Sequence, residues 1–214
     1  MTKEKTPLVF LLLTAFLILT VIVAKQITRP IDLAVTQLLQ SVASRGLDYG
    51  MSLFTLLASV EFSCFALLVV CWYLYRKYQR PEVFLYLFFF MAFSGIEFVW
   101  KYIVAYTGPG PEFDRNIFHF GFMVHTPYSF PSGHTFRSVF LLGIWYQWTG
   151  YQYIPSNKKV LTQKVMIFLL MIAVGVSRIY LGDHWLSDVI GGFLLAAIGL
   201  LLAFQPPHHE LRPA

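Results

Sequence analysis

Apolar residues run along this chain in stretches too long for the core of a small soluble domain. They lie near 7–25, 50–75, 82–106, 132–153, 162–181 and 185–205. Each is long enough to cross about 30 Å of hydrocarbon as a helix, which takes roughly 20 residues. Backbone polar groups find no water there, so each stretch is read as a membrane-spanning helix. Between the first two the pattern changes. Ile31, Val35, Leu38, Leu39 and Val42 recur at helical spacing among polar residues. Pro30 and Asp32 suit a helix start. Residues 31–45 are therefore expected to form an amphipathic helix on the membrane surface; the alternative is an extension of the second span. Residues 107–131 form the longest gap between spans, rich in Gly, Pro and His. Loops of this length are commonly functional.

Composition agrees with lipid as the solvent. The 214 residues are 57% hydrophobic and 13% charged, against about a quarter charged in soluble domains. The net charge of +5 does not point to nucleic acid, because no run of five basic residues exists. The basic residues instead gather in short gaps: Arg76, Lys77 and Arg80, then Lys158, Lys159 and Lys164. The positive-inside rule puts those gaps, and the N-terminus with Lys3 and Lys5, in the cytoplasm. Lys25, Gln26 and Ile27 follow the first apolar stretch where a small-residue cleavage site would stand, so an uncleaved first span is expected. Cys64 and Cys71 lie seven residues apart on one span, a rise of about 10 Å that no disulfide bridges. No internal repeat is visible, and residues 1–214 read as one domain.

With that topology, three clusters of reactive residues fall at the outer ends of spans. They are Lys101; Pro131, Ser132, Gly133 and His134; and Ser177, Arg178, His184 and Asp188. Physically they describe a phosphate site. Residues 131–133 sit where a helix begins, and the first turn of a helix offers unpaired N–H groups and a positive dipole end. Gly133 lets an oxyanion approach the backbone, Ser132 adds a hydroxyl, and Lys101 and Arg178 add charge. His184 and Asp188, four apart, share a helical face. The carboxylate can then hold Nδ1–H and leave Nε2 as a nucleophile. His134, on another span, is placed to protonate a leaving oxygen. A metal is not expected, since Lys101 and Arg178 would repel it and a metal site needs three or four converging ligands.

These residues resemble the type 2 phosphatidic acid phosphatase family, whose signatures are Lys, six residues, Arg-Pro; Pro-Ser-Gly-His; and Ser-Arg, five residues, His, three residues, Asp. The second and third are complete here, as Pro131-Ser132-Gly133-His134 and as Ser177-Arg178 with His184 and Asp188. The similarity covers about residues 50–205. It implies an all-α polytopic bundle of six transmembrane helices plus the outer amphipathic helix. It also implies metal-independent dephosphorylation of a lipid phosphate or diphosphate through a phosphohistidine, without a cofactor. The substrates implied are phosphatidic acid, phosphatidylglycerophosphate or a polyprenyl diphosphate, taken from the outer leaflet of a plasma membrane. Alternatives are a lipid phosphotransferase and a non-catalytic lipid-binding membrane protein.

The first signature departs from the pattern. Lys101 is followed after six residues by Gly108-Pro109, not Arg-Pro. The resemblance implies a phosphate-binding guanidinium at that place; either another arginine replaces it, or the site works with Lys101 and Arg178 alone and activity is reduced. Arg115 is the first candidate, because Pro109, Gly110 and Pro111 favour a turn that would bring it back. Arg137, one turn below His134, is the second. Glu97 precedes Lys101 by four and is expected to pair with it. Glu61, also within a span, has no partner legible in the sequence.

Overall fold

The computed structural model describes residues 5–56, 58–118, 126–149 and 158–204. Among these residues eight α-helices follow in order: α1 (Lys5–Ala24), α2 (Arg29–Gln40), α3 (Arg45–Leu56), α4 (Val60–Tyr78), α5 (Phe84–Val104), α6 (Gly133–Thr149), α7 (Lys158–Tyr180) and α8 (Leu186–Ala203). Among the described residues no strand forms, and Thr107 and Tyr128 make an isolated bridge. Among the described residues, four helices are long and apolar enough to cross a membrane: α1, α5 with the turn before it, α7 and α8. The protein is an integral membrane protein of the all-α class.

The stretch 50–75 is not the single helix its hydropathy suggests. α3 ends at Leu56 and α4 begins at Val60, the two inclined by 50°. Ser59 caps α4, its hydroxyl accepting from the Phe62 N–H at 3.2 Å. α3 turns away because its inward face is polar. Asp48, Ser52 and Thr55 are buried there, toward α7, and such groups need partners that hydrocarbon lacks.

α6 is the centre of the bundle. Its 17 residues rise roughly 26 Å, and it packs against α4, α5, α7 and α8. It therefore carries Arg137 and Ser138 buried among protein atoms, not in lipid. α8 packs tightly against it. A Cβ on Gly192 would stand 2.6 Å from the Ser132 carbonyl oxygen, and one on Gly143 would run into Leu200. Only glycine permits that approach, as in small-residue helix contacts within membranes.

The amphipathic helix expected at 31–45 exists as α2, shorter, with its apolar side outward. Ile31 and Leu38 are exposed, whereas Asp32 and Thr36 are buried. A soluble protein would reverse that arrangement. Here the outer surface meets lipid, and the inner face meets the polar end of the bundle.

Candidate active site

The ends of α5, α6, α7 and α8 meet in one place. The α6 start is built by Ser132, whose hydroxyl accepts from the Thr135 N–H at 3.3 Å and from the Thr135 hydroxyl at 3.0 Å. The Ser132 N–H donates to the Asp188 carbonyl at 3.0 Å, joining the starts of α6 and α8. At the end of α5 the Lys101 ammonium donates to the Ser129 carbonyl at 3.0 Å and stands 3.3 Å from the Glu97 carboxylate. The expected pairing of Glu97 with Lys101 is present.

At the end of α7, Arg178 is held by the Thr55 hydroxyl and, at 3.0 Å, by the Asp183 carboxylate. Its Nε is buried with no acceptor among the described residues. A donor buried without an acceptor is costly, and a phosphate oxygen would satisfy it. The chain then turns at Gly182, whose φ of +74° suits glycine. The turn delivers His184, whose Nδ1 lies 3.3 Å from an Asp188 carboxylate oxygen. That oxygen also accepts from the Trp185 N–H at 2.9 Å. With Nδ1 directed to Asp188, Nε2 is the nitrogen left for chemistry. Burial first, then the charges of Lys101 and Arg178, pull the His184 pKa well below 6.5. The ring is therefore neutral at physiological pH.

His134, His184, Lys101, Arg178 and Gly133 all line one cavity of about 730 Å³. Ser132 and Asp188 lie just behind it, supporting the helix starts. From this end the cavity runs between α4 and α5, past Ser59, Glu61, Cys64, Ser94 and Gly95 to Phe90 and Met91. Glu61, unplaced from sequence, is on its wall.

Arg115 does not reach this cavity. Its guanidinium makes a two-pronged bond to Asp48, at 2.9 and 2.8 Å, and its N–H donates to the Leu181 carbonyl at 3.0 Å. The turn after Pro109 does fold it back, but onto α3, where a buried carboxylate already waits. Asp48 also accepts from the Tyr180 hydroxyl at 2.5 Å. The guanidinium beside the α6 start belongs instead to Arg137. Its side chain points back toward the start of its own helix, as helical side chains do. A Cβ on Gly133 would lie 2.8 Å from its Nη1. Its Nη1 is 4.0 Å from Glu97, and it lines the cavity. Sequence reasoning also passed over Thr55 and Asp183, the partners of Arg178. Asp183, between Arg178 and His184 in the chain, was the one within reach.

Residues 83–210 match the PAP2 superfamily, a segment of more than half the chain that carries every residue of this cluster from Lys101 to Asp188. The chain belongs to the PAP2 superfamily. An 85-residue segment is 34% identical to phosphatidylglycerophosphatase B of Bacillus subtilis (strain 168), covering 38% of this chain and 39% of that relative. The match thus spans about two fifths of that PAP2 relative's length. Two solved structures share the fold. A transmembrane PAP2 type phosphatidylglycerolphosphate phosphatase from Bacillus subtilis superposes with a TM-score of 0.75 at 20% identity, over 91% of this chain and 93% of the other. Aquifex aeolicus LpxE superposes with a TM-score of 0.58 at 20% identity, over 81% and 94%.

Proposed function

We propose that the protein is a lipid phosphatase that works through a phosphohistidine on His184. One observation carries this reading: a histidine oriented by a buried carboxylate faces the same cavity as Lys101, Arg178 and Arg137, at the start of a helix. In the first step His184 Nε2 attacks phosphorus, and the bond from phosphorus to the lipid oxygen breaks. His134 gives its proton to that departing oxygen. In the second step His134 takes a proton from water, which attacks phosphorus, and the P–N bond breaks to release phosphate. Asp188 supports the positive charge that His184 gains in between. The three cationic side chains and the α6 N–H groups balance the charge on the equatorial oxygens. Arg137 takes the role for which Arg115 was the first candidate.

The elongated cavity supports a lipid substrate, with the phosphate among the cations and the chains leaving between α4 and α5. The named activity of the Bacillus relative makes phosphatidylglycerophosphate the first substrate to test, with phosphatidic acid and polyprenyl diphosphate beside it. The site is assigned to the extracytoplasmic face of the plasma membrane, on the strength of the basic gaps at the opposite end. The test is phosphate release by purified protein from each of the three lipids in mixed micelles. Release from at least one is expected, with acid-labile phosphate trapped on His184. No release from any of them would remove the reading.

A further inference from the structure

Asp32 is a carboxylate on a surface helix, yet it is only 1% exposed. It lies against the start of α8. One oxygen accepts from the Ser187 N–H at 2.8 Å, and the other from the Ser187 hydroxyl at 2.8 Å and the Tyr106 hydroxyl at 3.1 Å. Ser187 stands one residue before Asp188 and three after His184. Its N–H is one of the orphan donors of the first turn of α8, and Asp32 supplies an acceptor for it from another helix. It also sets negative charge at the positive end of the α8 dipole.

A second contact links the same two elements. The Arg29 guanidinium lies 4.3 Å from the centroid of the Trp185 ring, and the Trp185 indole N–H donates to the Thr107 carbonyl at 2.9 Å. α2 thus grips the residue after His184 and the residue before Asp188. Its opposite face presents Ile31 and Leu38, both more than half exposed, to the boundary of the bilayer.

We propose that Asp32 is a positioning residue for the His184–Asp188 pair, and that α2, seated in the membrane surface, holds it there. This rests on the phosphatase reading for its kinetic consequence but not for its structural one. Asp32 touches neither substrate nor the reacting nitrogen. Its loss lets the first turn of α8 move, and with it the carboxylate that orients Nδ1. Small misplacements of a reacting group cost up to about 10²-fold in rate.

The test compares wild type, Asp32→Asn and Asp32→Ala as full-length protein in nanodiscs. In Asp32→Ala, kcat should fall by about 10- to 100-fold while KM stays within about threefold. Asp32→Asn keeps an acceptor for the Ser187 N–H and should recover most of kcat. Without substrate, Asp32→Ala should speed amide exchange at residues 186–189 while leaving α6 and α7 unchanged. Kinetic change with KM rising alongside, or kcat per folded molecule equal to wild type, overturns the proposal. Unchanged exchange at 186–189 overturns it too. If wild type itself releases no phosphate, the phosphatase reading fails, and the exchange measurement alone decides whether Asp32 holds α8.

Discussion

On one side of α6 the helices touch, and on the other they part. Toward α8 the contact is so close that Gly143, Gly192 and Gly199 face side chains or backbone directly. Toward the seam of α4 and α5, a cavity of about 730 Å³ opens, and nothing lies within 4 Å of a Cβ built on Gly95. Both sides are made of apolar helices in lipid, so the hydrophobic effect does not distinguish them. Packing does: where lipid tails are as apolar as leucine, helices associate through fit and hydrogen bonds. The close side carries Ser132 and Asp188, which join the starts of α6 and α8. The open side is walled by Phe90, Met91, Ser94 and Gly95 among others.

The largest effect tests which side carries the chemistry. His184→Ala should reduce phosphate release to background while the protein still purifies as a folded species, because His184 lies in a turn and not in a helix contact. Residual turnover above a trace would show that another group attacks phosphorus. The same residue sets the acid limit. Its pKa is lowered by burial and by Lys101 and Arg178, and in the proposed mechanism the neutral ring is the nucleophile. Turnover should therefore hold as pH falls through 6.5 and decline only below it. A decline centred on 6.5 or higher would contradict that environment.

Next in size is the arginine pair. Arg137→Gln should lower kcat/KM by about 10²–10³, the scale of a lost charge-stabilising donor. Arg115→Gln should change it by only a few fold and act instead on thermal stability, through Asp48 and Tyr180. If the two results are reversed, Arg115 leaves Asp48 to reach the substrate and the placement above is wrong. Gly108→Arg sharpens the comparison. A Cβ at Gly108 meets the Ser129 side chain at an ordinary 3.4 Å, and Gly108 lines the cavity. A guanidinium placed there should restore part of the activity of Arg137→Gln.

These residues also mark what the sequence could carry. The spacing of Ser177, Arg178, His184 and Asp188 encodes one turn and one helix start, so their convergence was legible. So was the pairing of Glu97 with Lys101, which lies within one helix. The fate of Arg115 was not. It depends on Asp48, far away in the chain, and α3 looked like part of a span because hydropathy averages over its buried polar face. Asp32 was legible only as a helix-start residue: the apolar positions predict its helix, while its contacts with Ser187 and Tyr106 lie on the polar face.

A smaller effect probes the close side without touching a reactive group. Gly192→Ala would put a methyl 2.6 Å from the Ser132 carbonyl oxygen and 3.2 Å from the Phe136 nitrogen. Both are backbone atoms of the α6 start and cannot turn aside as a side chain does. Overpacking of this kind costs about 1–3 kcal/mol, so the melting temperature should drop. Because the displaced backbone is the proposed phosphate cradle, kcat should drop as well. A stable, fully active Gly192→Ala would mean that the two helices are not in contact in the membrane.

The smallest effect belongs to the open side, and it separates a lipid channel from an incidental gap. Gly95 is exposed on α5, between Met91 and Phe98, on the wall of the cavity. Gly95→Ala should be silent or slightly stabilising, since alanine is the better helix former by about 1 kcal/mol and meets no atom. Gly95→Leu should fit without strain and reach into the path proposed for the substrate's chains. Its consequence depends on the substrate. For a long-chain lipid phosphate, KM should rise by a few fold with kcat little changed, because the lost interaction lies far from phosphorus and is shared by the ground and transition states. For a short-chain, water-soluble analogue, neither constant should move. Equal effects on both substrates would place the obstruction at the phosphate itself. No effect on either would send the chains out of the site by another route, leaving the seam of α4 and α5 as a packing defect filled by bilayer lipid.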